Sequence, residues 1–510
     1  MDAAIESLGV GRFQLPILIA TGLTWSGDAI EMSVMAYVLP ALKDEWKIPQ
    51  AAADSFASVL FFGMLLGALP WGLLSDSFGR RVGWLSTTAL TAIAGMLSAA
   101  SPEGSVGLLL VLRTAVGVGL AGTNLGFALS SEWLPRHARG TLLMLFELFF
   151  VFGSALVVLL SWLFLSKRGG WRWVLILSTV PLWVALALSR LVPESPRWLL
   201  SHKRAQAATD TLRRAARING RPPPLPDGAT LAACNDDEGA ATRAASASAT
   251  NSNSHALPPC PTHRIAIATR SGVSHVFTTI FDKRLRRTSL AICAGWFSAW
   301  FSYFGAILLT PKMLAYALHD DTSVYASWSS LLATLAEIPG LLLATCAINR
   351  IGRVPTIATS FVLASLSLCL SAVVHYFAAT NTRIGALGVL QLLLVAISRL
   401  SAFGGFSALY VLTAESFPTN HRATAFGVVS ACSRLAGIVT PFVAGSLWDV
   451  TPIGALVCYA GAALVCACVL WLFVADTRDA AMPDELTALS AEALGEGGSE
   501  DPRHAAGDFA

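Results

Sequence analysis

The chain has 510 residues, 54% of them hydrophobic and 13% charged, and a net charge of +3; its mean hydropathy is +0.61. A soluble domain carries about 25% charged residues, so these values exclude an ordinary globular protein and describe a chain built for lipid. The small positive charge points to no nucleic-acid partner, because no basic, aromatic-rich soluble module is present to bind one.

About 20 apolar residues cross the hydrocarbon core as a helix. Twelve such stretches are predicted, at 16–42, 54–75, 82–100, 106–130, 140–166, 171–192, 288–314, 324–348, 354–377, 384–412, 423–448 and 453–475. The first carries Asp28 and Glu31 and has no small-residue cleavage site beyond it, so it reads as a span and not a signal peptide. The expected class is an all-α membrane protein of twelve transmembrane helices. Residues 1–192 form a first six-helix bundle and 287–475 a second. Between them, 193–286 is a cytoplasmic linker, disordered around the Pro/Ala/Ser/Thr/Asn stretch 220–262, which is too polar to order itself. Residues 476–510 are a disordered tail.

Lys and Arg set the orientation. Arg80, Arg81, Arg136, Arg139, Arg350, Arg353 and Arg422 lie in even-to-odd connections, on the side of the basic segment 197–287, so both termini are expected in the cytoplasm. Whether the membrane is the plasma membrane or that of an internal vesicle stays open. Cysteines fall within spans or in the long loop, so no disulfide framework is expected. Cys466-x-Cys468 has no His or carboxylate beside it and reads as packing, not as a metal site.

The connection Gly72–Arg81 reads G-L-L-S-D-S-F-G-R-R. Gly72 and Gly79 permit close approach and a tight turn. Asp76 can accept hydrogen bonds from arginines, and Arg80 and Arg81 can reach lipid headgroups or the carboxylates of Glu132 and Glu415. Asn349-x-x-Gly352-Arg353, preceded by Arg350 within it, repeats the pattern, and Glu132, Pro135 and Arg139 recur in spacing as Glu415, Pro418 and Arg422. With Asn349 in place of the acid, the second copy is expected to be the weaker. Pro193–Leu200 ends the sixth span, where Glu194 and Arg197 extend the charge network and Trp198 anchors the interface. Halves repeated in one direction mark two parallel-repeat six-helix bundles, the major facilitator architecture. These charged groups form a cytoplasmic latch that must break when a transporter opens inward.

Ionisable groups inside a membrane are costly and point to function. The acids are Asp28, Glu31, Glu147 and Glu337; the bases are Arg113, Arg399 and Arg434. Four acids meet three bases, and a carboxylate left over in low dielectric binds a proton or a cationic substrate. Asp28 and Glu31 share a helix face, and Arg434 can hold a carboxylate. On the seventh span Trp296, Trp300 and Tyr303 form a stripe suited to cation–π or stacking contacts, while Phe297, Phe301 and Phe304 read as lipid-facing or packing. Gly117-x-Gly119-x-x-Gly122 lies within a span and serves helix packing, not a dinucleotide. No phosphate-cradling loop is present, so ATP is not the drive, and neither cofactor, metal nor enzymatic activity is expected.

These residues resemble the sugar-porter-like branch of the major facilitator superfamily, which carries P-E-S-P-R and the E-x-x-P-x-x-x-R pair. Gly27–Met32, Trp296–Gly305 and Ala414–Thr419 look like the synaptic-vesicle-glycoprotein-related transporters, a group that includes nicotinate permeases and plant organic-cation carriers. The resemblance covers residues 15–475. It implies that Asp28 faces Arg113 in a proton-coupling pair, with a permanent structural pair and direct substrate contact as alternatives. It also implies that Glu147 stands where hexose carriers place a sugar-binding amide, so a carboxylate there favours a cationic or zwitterionic ligand. The seventh span lacks the Q-Q-x-S-G pattern of hexose carriers.

The expected function is secondary active transport of a small organic ion (cation, zwitterion or carboxylate) by alternating access, coupled to a proton, by a monomer in contact with membrane lipid. A sugar or polyol symporter is the alternative within transport, and a non-transporting membrane sensor or scaffold the alternative outside it.

Overall fold

The computed structural model describes residues 2–135, 138, 142–143, 145–223, 286–318, 324–380, 384–417 and 422–477. Every element it assigns there is a helix. The first two spans are Gln14–Trp46 and Gln50–Phe78. The third is Arg80–Ala99, and the fourth is Val106–Leu120 continued by Asn124–Glu132. The fifth is Leu148–Phe164, and the sixth Gly170–Ser178 continued by Val180–Leu188.

The seventh is Arg286–Leu318, and the eighth Val324–Leu335 continued by Glu337–Arg350. Arg353–Thr380 and Ile384–Ser416 are the ninth and tenth. The eleventh is Arg422–Phe442, which passes through a π turn at Val443–Leu447 into Trp448–Val450. Pro452–Phe473 is the twelfth. Among the described residues nine helices are long and apolar enough to cross a membrane, and a tenth is bent by 41° beside Pro70. The fifth is apolar but short, and the first carries more charge.

Contacts divide the chain into two compact units. Unit one is Met1–Val34, Gly63–Val157 and Gly169–Phe277; unit two is Met35–Phe62, Val158–Arg168 and Thr278–Ala510. The first two spans are thus each shared, their adjoining ends packing in unit two. In unit one the glycines of the fourth span admit their neighbours closely: a Cβ at Gly119 would lie 2.9 Å from the Thr91 nitrogen of the third span.

The start of the expected linker is built into unit one. Helices Pro196–Ser201 and Ala205–Asn219 follow the sixth span. Leu212, Ala215 and Ala216 bury themselves against Ile5 and Leu8 of the short helix Asp2–Leu8 and against Phe13, Trp84 and Trp133. Asn219 secures this corner, its Oδ1 accepting from Phe13 N at 2.9 Å and its Nδ2 donating to Leu8 O at 3.2 Å. Such an alanine-rich helix is favoured intrinsically, and its apolar stripe is stabilised by burial. The stretch 224–285, which includes all but the first residues of the expected disordered segment, lies outside the described residues, as do Arg136, Arg139 and Pro418. The described cysteines are free thiols, with Cys466 buried and Cys468 exposed.

Candidate functional site

In unit one, Gly79 stands alone between the second and third spans with φ +118°, a conformation L side chains rarely adopt, and a Cβ there would run into Glu194. Glu194 caps the third span, its two oxygens accepting from Arg81 N at 3.0 and 3.2 Å. The Arg81 side chain turns to Ser189 O at 3.1 Å, so its backbone and not its guanidinium meets Glu194. Arg80 is divided between Asp76 at 2.8 Å and Glu132 at 3.8 Å, and Ser195 Oγ donates to Glu132.

Two expectations need correction here. A Cβ at Gly72 would meet nothing within 4 Å among the described residues, so no close approach among them requires that glycine. Trp198 is no interface anchor: it is buried, and its indole N–H donates to Asp76 O at 3.0 Å. Arg197 is exposed.

Unit two repeats this joint. Gly352 has φ +105°, and a Cβ there would strike Asp476. Asp476 Oδ1 accepts from Arg353 N at 2.8 Å and Val354 N at 3.2 Å. Arg353 donates twice to Glu415, from Nε and Nη2 at 2.9 Å each, and Thr477 Oγ1 donates to the same carboxylate at 2.5 Å. Within unit two, Glu415 therefore serves Arg353. Asn349 and Arg350 are exposed, and the side chain of Arg422 lies outside the described residues. Asp476 and Thr477 belong to this joint and not to a disordered tail. Sequence reasoning missed them, although Glu194-Ser195 and Asp476-Thr477 stand apart by the same displacement, within one residue, as Glu132 and Glu415.

Within the spans of unit one, two charged groupings form one turn apart. Glu31 Oε2 accepts from Arg113 Nη1 at 2.8 Å, with both side chains essentially unexposed, and Arg113 Nε donates to Ser98 Oγ at 3.3 Å. Arg113 thus meets Glu31 and not Asp28 as the resemblance implied, because Asp28 sits a turn earlier, on the level of Glu147. Glu31 Oε1 has no hydrogen-bond partner among the described residues. Gly95 leaves room for it, since a Cβ there would lie 2.8 Å away.

Asp28, 4% exposed, lies within electrostatic reach of Glu147, and Trp25 Nε1 donates to Glu147 Oε2 at 3.3 Å. Trp25, Phe127 and Phe146 face one another with ring centroids 5.5–5.8 Å apart. Glu147 occupies a turn between helical residues 145–146 and the helix Leu148–Phe164, and Ser26 Oγ ties that helix to the first span through Phe149 O at 2.6 Å. Two carboxylates beside three aromatic rings make an environment for a cation. Only the acids were legible as site residues; the rings come from positions scattered along the chain.

Unit two holds its own buried pair. Glu337 Oε1 accepts from Arg399 Nη2 at 2.7 Å and Nε at 3.0 Å, and from the Tyr303 hydroxyl at 3.1 Å. Tyr303 is therefore committed to this pair. Trp296 is anchored by Thr413 Oγ1 at 2.8 Å and packs edge-on to Tyr410. Trp300 carries the Arg434 guanidinium 5.0 Å above its ring and stacks on Phe304. Of the phenylalanine stripe, Phe301 and Phe304 are buried and Phe297 is half-exposed.

Apolar spans, glycine-turned joints and buried charges together describe an integral, multi-pass membrane protein. Comparison with known proteins agrees. The family model described as Sugar (and other) transporter matches residues 27–482, and the chain belongs to that family. It is 32% identical to the Synaptic vesicle 2-related protein of Rattus norvegicus over 95% of this chain and 82% of that one. With the Organic cation/carnitine transporter 7 of Arabidopsis thaliana it shares 28% identity over 88% of each chain. Its fold matches the partially occluded inward open conformation of the xylose transporter XylE from E. coli with a TM-score of 0.66 at 19% identity, covering 92% of this chain and 99% of that one. The fold is accordingly the twelve-helix major facilitator fold, and the protein is a transporter of a small molecule, not an enzyme.

Proposed function

We propose that the protein moves a small organic ion with a cationic group by alternating access, coupled to protons. The observation that carries this reading is the acidic aromatic cluster of unit one, Asp28 and Glu147 beside Trp25, Phe127 and Phe146. Cationic ligands gain about 0.5–2 kcal/mol from an aromatic face and more from carboxylates in low dielectric. The printed name of the Arabidopsis relative points the same way. Within unit two, Arg434 over Trp300 is a further cationic group inside the spans, and zwitterions are kept among the candidate ions.

Buried Glu31, with one oxygen outside its pair with Arg113, supports the proton: a carboxylate held in low dielectric exchanges a proton as its partner moves away. Glu337–Arg399, reinforced by Tyr303, has the build of a permanent brace. The latch groups act on the cytoplasmic side, where both termini lie, in a monomer bathed in lipid.

Uptake of radiolabelled choline and of xylose into proteoliposomes, with and without an inward proton gradient, tests this. Saturable choline uptake that rises with the gradient and is lost in Glu147→Gln is expected. Xylose uptake without choline uptake puts the sugar symporter in its place, and uptake of neither overturns transport of an organic ion.

A further inference from the structure

At the end of unit two away from its latch lies a cavity of about 190 Å³ that the reading above does not use. Its walls come from the adjoining ends of the first two spans and the far ends of the seventh and eleventh. Four charged side chains border it, Lys43, Asp54, Lys312 and Asp449; the rest of the lining is Ala, Leu, Met, Pro and Gly, with no hydroxyl, amide, imidazole or phenol.

The charged groups are held by the π turn, a feature that often marks functional sites. Lys312 Nζ donates to Ala444 O at 2.8 Å, and Asp54 Oδ2 accepts from Ser446 N at 3.0 Å and from the Ser446 hydroxyl. Gly445 lies under Asp54, where a Cβ would collide with the carboxylate. An ammonium has three donors. Lys312 gives one to Ala444, and Asp449 at 4.0 Å is beyond hydrogen-bond distance.

We infer that this cavity binds a small zwitterion with a short aliphatic body, its carboxylate on Lys312 and Lys43 and its ammonium on Asp449 beside Asp54. Cationic and anionic groups side by side match a ligand that bears both charges better than one that bears a single charge of either sign. A sugar carries hydroxyls around its whole ring, and those turned to the alanine, leucine and proline of the wall rather than to the four charged groups would lack partners, which costs about 1–3 kcal/mol for each group left unpaired. The small volume selects a short chain.

The test is binding and not transport, and the variants at Lys312, Asp449 and Glu147 tell binding in this cavity from binding at the site of the proposed function. Full-length protein in detergent is dialysed to equilibrium against radiolabelled 4-aminobutanoate, with butanoate, butylamine and glucose as competitors. Saturable binding is expected, little displaced by any of the three. Lys312→Met and Asp449→Asn should each weaken it by about tenfold or more. Both side chains are partly exposed, and monodisperse gel filtration confirms that the variants fold. Absence of binding, displacement by butanoate or butylamine at the potency of the zwitterion, or binding that survives Lys312→Met and is lost in Glu147→Gln overturns the assignment.

Discussion

In unit one Arg80 divides its guanidinium between Asp76 at 2.8 Å and Glu132 at 3.8 Å; in unit two Arg353 gives two bonds of 2.9 Å to Glu415 alone. The sequence suggests the opposite ranking, since Asn349 has replaced the acid. An acid four residues before an arginine is a rival for it as well as a support. Asp76 draws Arg80 outward, being itself 65% exposed, and loosens its hold on Glu132. Asn349 offers no such pull, and Arg353 settles on one carboxylate in the bidentate geometry that strengthens such pairs. The other parts are matched: Glu194 and Asp476 cap the following span, and Ser195 and Thr477 bond the glutamate.

Alanine at the turn glycines should break both copies and give the largest effect. Left-handed strain of about 1–3 kcal/mol adds to the collision with Glu194 or Asp476, so Gly79→Ala and Gly352→Ala should lower Tm most in detergent unfolding. A neutral Gly352→Ala would show that the turn is not fixed by its cap. Next, Arg353→Met should cost about 1–2 kcal/mol, as a part-buried bidentate pair, and Arg80→Met less than about 1 kcal/mol. Equal losses would remove the distinction between the latches.

Asp476→Ala should cost about 1 kcal/mol through the lost cap, and Glu194→Ala about as much, read in the same assay. The smallest and sharpest test exchanges the differing residue. Asp76→Asn should strengthen the coupling of Arg80 to Glu132, and Asn349→Asp should weaken that of Arg353 to Glu415, each by about 0.5 kcal/mol or less in double-mutant cycles. Changes of the same sign in both copies would contradict the rivalry.

Much of this was written locally in the chain. Long apolar runs marked the spans other than the fifth to within about four residues, because lipid leaves the backbone no choice but the helix; the fifth is expected from 140 and its helix is assigned from Leu148. The joint residues Gly79, Arg80, Glu132, Gly352, Arg353 and Glu415 were legible because each copy spells the other. What escaped were partners with no local pattern. Glu31 and Asp28 share a face, and which of them meets Arg113 depends on one turn of register between two helices. Trp25, Phe127 and Phe146 read singly as ordinary span aromatics, and only the packing of the first, fourth and fifth spans makes them one group. Residues 205–219 looked like linker because they are basic, yet their alanine and leucine stripe finds a buried seat.

The turns at Gly79 and Gly352 have a mechanical side. One residue separates the second span from the third, and two separate the eighth from the ninth, with both joints clamped by carboxylate caps. Hinges of that length have no slack, so each helix pair must tilt as a rigid lever. Flexure is left to the interruptions further along the same helices, the 41° bend beside Pro70 and the break at Ala336. Under the alternating access proposed above, stiffening those two points, and not the joints, should freeze the protein without unlocking it.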